Sequence, residues 1–374
     1  MNYRRHLCLV SAQPVPNVTP ALDPQFKPEE VILLVSPDMK ARADALQQVF
    51  QPAGVKVRQH LIDDAWDIEH VQQRVFDLLE EDLSSIALNA TCGTKPMSIA
   101  AYEVFRGFEL PIFYVHPETN RLIWMYPKEK PSQNLSHRIR LPQFLLAQGV
   151  KMDDVLHRQS VSKAWREVTA RLIEGMKNFA PPLGTLNYLA AHTDQNLCVD
   201  ISKDKRSWQA LQQLIEVFAQ AGVLQQDKHL LHFPDEKSRF FVNGGWLEQH
   251  VFSVLQTVRK QCPSIHDVGQ GLQVKRGTVK NEIDVAFLCN NNLHVIECKT
   301  KQFKESGAEA VYKLDSLAPD LGGIRAKTML VSFQALGSEH QERATKAKVK
   351  LCVGTQLQQL EQHLLKWTGV DASD

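Results

Sequence analysis

Apolar and polar positions follow two rhythms along the first 150 or so residues of this chain. The runs "HLCLVSA", "VILLVSP", "VKVRQHLI", "SSIALNAT", "LPIFYVHP" and "LIWMYP" have strand length and end in turn residues. Between them, "MKARADALQQVFQPAG", "IEHVQQRVFDLLEED" and "MSIAAYEVFRG" carry apolar residues at helical spacing, with Gly54 and Gly107 as stops. This βαβα order predicts a mostly parallel sheet with helices on both faces, in which ligands sit at the carboxyl ends of the strands.

The pattern then changes. "DVLHRQSVSKAWREVTARLIEGMKNF" reads as one long helix over 151–180, stopped by Pro181-Pro182. Up to residue 240 come the helix "SWQALQQLIEVFAQAG", ended at Gly222, and the strands "VLQQDKHLLHFP" and "SRFFVN", which suggest a small winged-helix-like unit. Its helix is rich in Gln and apolar residues and lacks a basic recognition face, so a connector or dimerisation role outweighs DNA reading. From 241 onward, Gly244-Gly245 open the helix "GGWLEQHVFSVLQTVRKQ". A strand hairpin, a polar loop, the strand "TMLVSF" and two helices, "SEHQERATKAKVKL" and "TQLQQLEQHLLKWTG", complete this part.

The hairpin "NEIDVAFLCNNNLHVIECKT" carries charge where its apolar residues predict a core. Strand side chains alternate faces, so Glu297 and Lys299 share one. An Asn290-Asn291 turn pairs 289 with 292 and 284 with 297. A turn at Asn291-Asn292 instead sets Asp284 opposite Lys299. Asn tolerates the positive φ of either turn, and both registers leave Asp284, Glu297 and Lys299 on one face. Two adjacent carboxylates repel, and a divalent cation such as Mg²⁺ or Mn²⁺ relieves the repulsion. The neighbouring lysine is then placed to orient water or meet charge developing on a phosphate. The competing reading is the solvated face of an edge strand.

Composition narrows the classes. The chain has 374 residues and a formal net charge of +1, which suits two or three globular domains and excludes a uniformly basic nucleic-acid coat. Any polyanion must meet a local patch, for which Lys275, Arg276, Lys299, Lys301, Lys304, Arg343, Lys346, Lys348 and Lys350 are candidates. Seven dispersed cysteines without metal-type spacing read as reduced thiols. The absence of a secretory start or a membrane-length apolar run adds to the expectation of a cytoplasmic protein without membrane contact.

In the first half, "NATCGTKPMS" follows a strand and precedes a helix. There Asn89, Thr91, Gly93, Thr94 and Lys95 can offer amides, hydroxyls and an ammonium to phosphates. It is not a Walker A loop, because Gly and Lys are not adjacent, so an ATPase is excluded.

The order of Glu248 on a helix, Asp284 and "ECK" on strands, then a helix resembles the PD-(D/E)XK nuclease superfamily. That resemblance implies metal binding by Glu248, Asp284, Glu297 and the Cys298 carbonyl, and it makes Lys299 a fourth catalytic residue that positions water and stabilises charge. "CLVSAQPVPN", "LLVSPDM" and "ALNATCGTKPMSIA" resemble the ligand loops of CARF domains. Together the motifs resemble the CARF nucleases of type III CRISPR defence over nearly the whole chain. The implied fold class is α/β: a Rossmann-like CARF sensor domain over 1–150, a linker helix and winged-helix-like connector over 151–240, and a restriction-endonuclease-like α/β domain over 241–374. The resemblance further implies a homodimer holding one cyclic oligoadenylate, most often the tetra-adenylate. Its contacts would be Ser11, Gln13, Asn17, Ser36, Met39, Asn89, Thr91, Gly93, Thr94 and Lys95. The outcome would be metal-dependent cleavage of DNA or RNA. The alternatives are a ligand-sensing winged-helix transcriptional regulator and a restriction or repair endonuclease without nucleotide activation.

Overall fold

The computed structural model describes residues 3–116, 119–155, 161–301 and 306–369. Three sheets organise them. The first contains β1 (Arg5–Leu9), β2 (Glu30–Val35), β3 (Lys56–Leu61), β4 (Ile86–Asn89), β5 (Ile112–Val115), β6 (Arg121–Tyr126) and β7 (Gln133–Asn134), in the order β3-β2-β1-β4-β5-β6-β7. Pairing is parallel from β3 to β5 and antiparallel at β6 and β7. The strand order reverses between β1 and β4, so the loops after these two strands meet at the switch point, where open α/β sheets bind ligands.

The expected helices of this half form as Lys40–Phe50, Ile68–Glu81 and Lys95–Gly107. Two more, Val15–Leu22 and Leu141–Ala147, were not expected. Every residue of Val15–Leu22 is buried and it holds an internal Pro20, so no polar face marks it as amphipathic.

The linker departs from the single long helix expected over 151–180. Lys151–Val155 is instead a strand, β8, which extends the third sheet. Part of the expected helix, 156–160, lies outside the described residues. Helices then run over Lys163–Glu174 and Met176–Ala191, and Pro181 and Pro182 sit inside the second. Both prolines lie beyond the free N–H groups of the first turn, so each withholds a donor from the carbonyl four residues before it. Strands β9 (Cys198–Asp200), β10 (Gln225–Asp227) and β11 (Leu230–His232) form a small antiparallel sheet beside the helix Gln209–Gln220. "SRFFVN" is not a strand. Asp235 caps a short helix there through the Ser238 amide, 2.7 Å away, and the chain continues in helical turns to Gly245.

The third sheet holds β12 (Ile265–Arg276), β13 (Val279–Cys289), β14 (Asn292–Lys299), β15 (Ala326–Ser332) and β16 (Lys350–Val353) besides β8, in the order β16-β15-β14-β13-β12-β8. Where a polar loop was expected after the hairpin, a helix spans Ser306–Gly322. Its buried Ala310, Val311, Leu314, Leu317 and Leu321 keep helical spacing across Pro319. The expected helix "SEHQERATKAKVKL" stops at Lys346, and the left-handed Lys348 turns the chain into β16.

The first and third sheets share one hydrophobic core. Leu33, Leu46 and Phe50 from the first half and Leu293, Val311 and Leu330 from the second belong to the same buried cluster. Polar ties reinforce it: Asn291 Oδ1 accepts from the Ile139 amide at 2.9 Å, and Asp267 Oδ2 accepts from the Leu141 amide at 2.7 Å. Removing a large buried side chain such as Phe144 would cost about 3–5 kcal/mol.

Candidate active site

The two-residue turn of the hairpin is Asn290-Asn291, with φ of 49° and 56°. Both residues occupy the left-handed region, as a type I′ turn requires. Cys289 faces Asn292 and Val285 faces Ile296, which is the first of the two expected registers. Strand alternation then sets Asp284 opposite Glu297 and on the same face as Lys299. On that face Ala286, Leu288, Leu293 and Val295 are buried in the shared core, and the polar trio follows at the end of their stripe. Both strands are interior to the six-stranded sheet, so an edge-strand origin for these charges does not apply.

The carboxylates are buried, Asp284 with 8% and Glu297 with 2% of its surface exposed. The Cys298 amide donates to Asp284 Oδ2 at 2.7 Å. Glu297 is gripped on both oxygens, by Lys299 Nζ on Oε1 and Lys313 Nζ on Oε2, each at 2.6 Å. Burial, and then the neighbouring Glu297 charge, push the Asp284 carboxyl up to about 6. Burial alone would lower the Lys299 ammonium, but Glu297 outweighs it and the pKa is raised. The Cys298 thiol is driven well above its usual range by burial and then by Asp284, so it stays protonated and packed.

Sequence reasoning missed Lys313. Its signal is a lysine between Val311 and Leu314 on the helix that follows the "ECK" strand, a face otherwise given to core residues.

Glu248 stands in the first turn of the helix Trp246–Gln261, half-buried. Trp246, Leu247, Val251 and Leu255 of this helix pack with Val285, Phe287 and Ile296, on the sheet face opposite Glu297 and Lys299. Glu248 acts electrostatically on Cys298, whose side chain packs in the same cluster as this helix. Gly244 has φ +112°, and a Cβ there would lie 2.4 Å from Thr300 Oγ1, so only glycine lets the "GGWLE" turn approach the end of β14.

Among the described residues, no three His, Cys, Asp or Glu side chains converge as a ready metal cage. The donor chemistry still fits a hard divalent cation. Two buried carboxylates oppose one another, and Glu297 Oε1 lacks a well-directed hydrogen bond despite its ion pair with Lys299. The residues around Glu297 form a cleft of about 690 Å³, lined by Lys299, Lys301, Tyr312, Lys313 and Ser316 among others.

The expected basic residues do not form one patch. Lys299 and Lys301 face this cleft, whereas Lys348 and Lys350 line a second hollow with Lys327, Lys366 and Gln13. Arg276 is paired with Asp320, Lys346 with Glu342, and Arg343 lies 4.6 Å above the Tyr312 ring. Lys304 lies outside the described residues.

At the switch point of the first sheet, β1 pairs with both β2 and β4, so the loops carrying the expected ligand contacts come together. Several of those side chains are occupied. Asn89 Nδ2 donates to the Pro16 carbonyl (2.9 Å) and to Asn17 Oδ1 (3.1 Å), while its Oδ1 accepts from the Thr91 hydroxyl (2.6 Å). Asn17 donates to the Leu9 carbonyl, Ser36 to Asp38, and Thr94 caps the helix Lys95–Gly107. Gly93 has φ +83°, with Leu9 Cβ only 2.9 Å from where its own Cβ would stand. Lys95 is exposed, and Ser11, Gln13 and Met39 are partly so.

Two contacts link this site to the third sheet. A Cβ on Gly323 would meet Gln13 Nε2 at 2.2 Å, so the two residues are packed together. Arg325, 3% exposed, acts electrostatically on Cys92 and Tyr114 of the first domain. Neither terminal guanidinium nitrogen of Arg325 has a hydrogen-bond partner among the described residues. No sequence pattern distinguishes this arginine, since its meaning depends on contact between domains.

Two family models match the chain. One, described as the Card1 CARF domain, covers residues 6–144, and the other, described as Card1-like, endonuclease domain, covers 235–370. Protein VC1899 from Vibrio cholerae is similar at 30% identity and a TM-score of 0.90, over 98% of both chains. Can2 from Sulfobacillus thermosulfidooxidans, solved in complex with cyclic tetra-adenylate, is similar at 29% identity and a TM-score of 0.84, over 97% of this chain and 99% of that one. A type III CRISPR defence DNA nuclease activated by cyclic oligoadenylate shares the fold at 19% identity and a TM-score of 0.57, over 90% of this chain and 46% of its own. No curated protein matches significantly.

Proposed function

The chain belongs to the Card1-like family of CARF-domain endonucleases, and on that premise we propose a mechanism in which cyclic tetra-adenylate at the CARF switch point turns on metal-dependent cleavage at Asp284 and Glu297. It is an endonuclease, and its two domains with their likeness to Can2 support activation by a cyclic oligoadenylate in type III CRISPR defence. The observation that carries the catalytic assignment is the buried Asp284–Glu297 pair with Lys299 on the same strand face.

Asp284, Glu297 and the Cys298 carbonyl are the oxygen donors we assign to a Mg²⁺ or Mn²⁺ ion, which when bound would supply a Lewis acid and lower the pKa of water, while Glu248, on the helix packed against the other sheet face, is assigned to the same ion on the family resemblance. Lys299 keeps its proton beside Glu297 and directs positive charge toward a phosphate entering the cleft. Lys313 holds the second Glu297 oxygen and so fixes the carboxylate plane. The lysines along the cleft supply counter-charge for a DNA or RNA backbone.

In the CARF domain, Lys95 and the loop from Ser11 to Gln13 offer the accessible polar groups for the activator. Asn17, Asn89 and Thr91 hold the loops that present them. A homodimer is supported by the apolar surface beside these loops, where Leu61, Ile99 and Trp66 are exposed, Trp66 to 73%. Thr94 Oγ1 ties that surface to the ligand loop through the Ala65 carbonyl at 2.7 Å. A two-fold symmetric ring suits such an isologous pair.

The test is incubation of labelled single-stranded DNA and RNA with the protein and Mn²⁺, with and without each cyclic oligoadenylate. Cleavage that needs both cyclic tetra-adenylate and the metal is expected, and none should occur with Glu297→Gln. Equal cleavage without any cyclic oligoadenylate would favour the unactivated endonuclease and overturn the switch.

A further inference from the structure

A second hollow, of about 540 Å³, adjoins the catalytic cleft and is built mostly by the connector. Its lining includes Tyr188 and His192 from the helix Met176–Ala191 and its cap, Lys205, and Lys301. Lys301 also lines the cleft around Glu297, so the two hollows share that side chain. The helix is pinned to the catalytic strand: the buried Asn187 amide is hydrogen-bonded to the Thr300 hydroxyl at 2.8 Å. Tyr188 follows Asn187, and Lys301 follows Thr300. The position of the tyrosine ring relative to Lys299 is therefore set by a bond one residue away on each side.

Tyr188 is 54% exposed although it is aromatic. Its ring stacks on His192 with centroids 3.9 Å apart and planes 26° from parallel, and Lys205 Nζ lies 5.4 Å from its centroid. Two stacked rings make a rigid flat surface. With Lys205 over the tyrosine ring and Lys301 lining the same hollow, the surface suits a nucleobase and its neighbouring phosphates.

We propose that Tyr188 and His192 form a stacking subsite for an unpaired base of the substrate strand, with Lys205 and Lys301 on its backbone, so that the connector grips single-stranded nucleic acid beside the scissile phosphate. A paired base cannot expose its face to the ring, so the subsite selects single strands over duplexes. This rests on the nuclease reading and assigns the connector a place in substrate binding.

The test uses full-length protein with cyclic tetra-adenylate and unstructured fluorescent 15-nucleotide DNA and RNA, bound in Ca²⁺ by anisotropy and then cut in Mn²⁺. Tyr188→Ala is expected to weaken single-strand binding about tenfold, the loss typical of one stacked base. KM should rise with kcat kept, and Tyr188→Phe should bind like wild type because the ring survives. Affinity for cyclic tetra-adenylate should be unchanged in both, which checks the fold. Wild-type affinity in Tyr188→Ala, or an equal loss for a blunt duplex of the same length, would overturn the subsite while leaving the nuclease standing. A wild-type protein that cuts no strand with any cyclic oligoadenylate would overturn the nuclease reading and the subsite with it.

Discussion

Replacing Asp284 by Asn should make the protein more stable while abolishing cleavage. Asp284 is buried beside Glu297, and its carboxyl is pushed from an ordinary 3.8 up to about 6, first by burial and then by that neighbour. A carboxyl whose folded pKa is raised binds its proton more tightly in the folded state. It therefore withdraws stability as pH climbs from about 4 to about 6, and the whole penalty is present above that. At pH 8 the penalty is about 3 kcal/mol. Asn carries no charge, and its Oδ1 can still accept from the Cys298 amide that now donates to Asp284 Oδ2 at 2.7 Å. A melting temperature several degrees higher than wild type is expected at pH 8, shrinking toward zero near pH 4.

Differential scanning calorimetry from pH 4 to pH 8, in a chelating buffer, reads this directly. Adding Mn²⁺ should narrow the gap, because an ion bound to the folded wild type stabilises it by mass action and the variant has lost one donor. A variant that melts below wild type at pH 8, or a gap that does not change with pH, would refute the reasoning. Asp284 would then be a carboxylate stabilised by its hydrogen bond rather than one held at a cost for catalysis.

Lys95→Ala, at an exposed position on the ligand loop, should weaken cyclic tetra-adenylate binding by roughly 1.5–3 kcal/mol, the worth of a hydrogen bond to a charged group, and cleavage should return at high activator. Calorimetry showing wild-type affinity would make the loop structural only. Arg325→Met should leave the activator-free protein as stable as wild type or more so, since it removes a buried charge whose two terminal nitrogens meet no acceptor among the described residues, and should raise the activator concentration needed for half-maximal cleavage. A large loss of stability with an unchanged threshold would show that Arg325 only packs.

The sequence made the catalytic hairpin legible because its register depends on two local features, an Asn-Asn turn and strict strand alternation. Asp284, Glu297 and Lys299 needed no tertiary information to be set on one face. The alternating half was legible for a similar reason, since its helices Ile68–Glu81 and Lys95–Gly107 have one apolar face and clear caps. Elements buried on all sides, such as Val15–Leu22, carry no periodic signal. Short segments such as Lys151–Val155 become strands only because β12 offers them an edge. The helix Ser306–Gly322 was hidden by Pro319 and flanking glycines, and Lys313 was hidden with it. The ligand loops were found by motif, but only the structure separates Asn17 and Asn89, which brace the loops, from Lys95, which is exposed.

The contact between domains bears on how a signal reaches the nuclease. The CARF and nuclease sheets share a core, and the segment Gly323–Arg325 meets the ligand-loop residue Gln13 there. That segment packs against Gln13 and acts electrostatically on Cys92 on one side, and it runs directly into β15 on the other. β15 lies parallel to β14, with Leu330 beside Glu297 and Ser332 beside Lys299. If activator binding shifted the Ser11–Gln13 loop as proposed, the shift would act on the strand next to the catalytic one without passing through residues 161–240. For this to switch the enzyme, the activator must bind one arrangement better than the other. The connector then remains available to the substrate, consistent with Tyr188 lining the hollow beside the cleft from a helix pinned to Thr300.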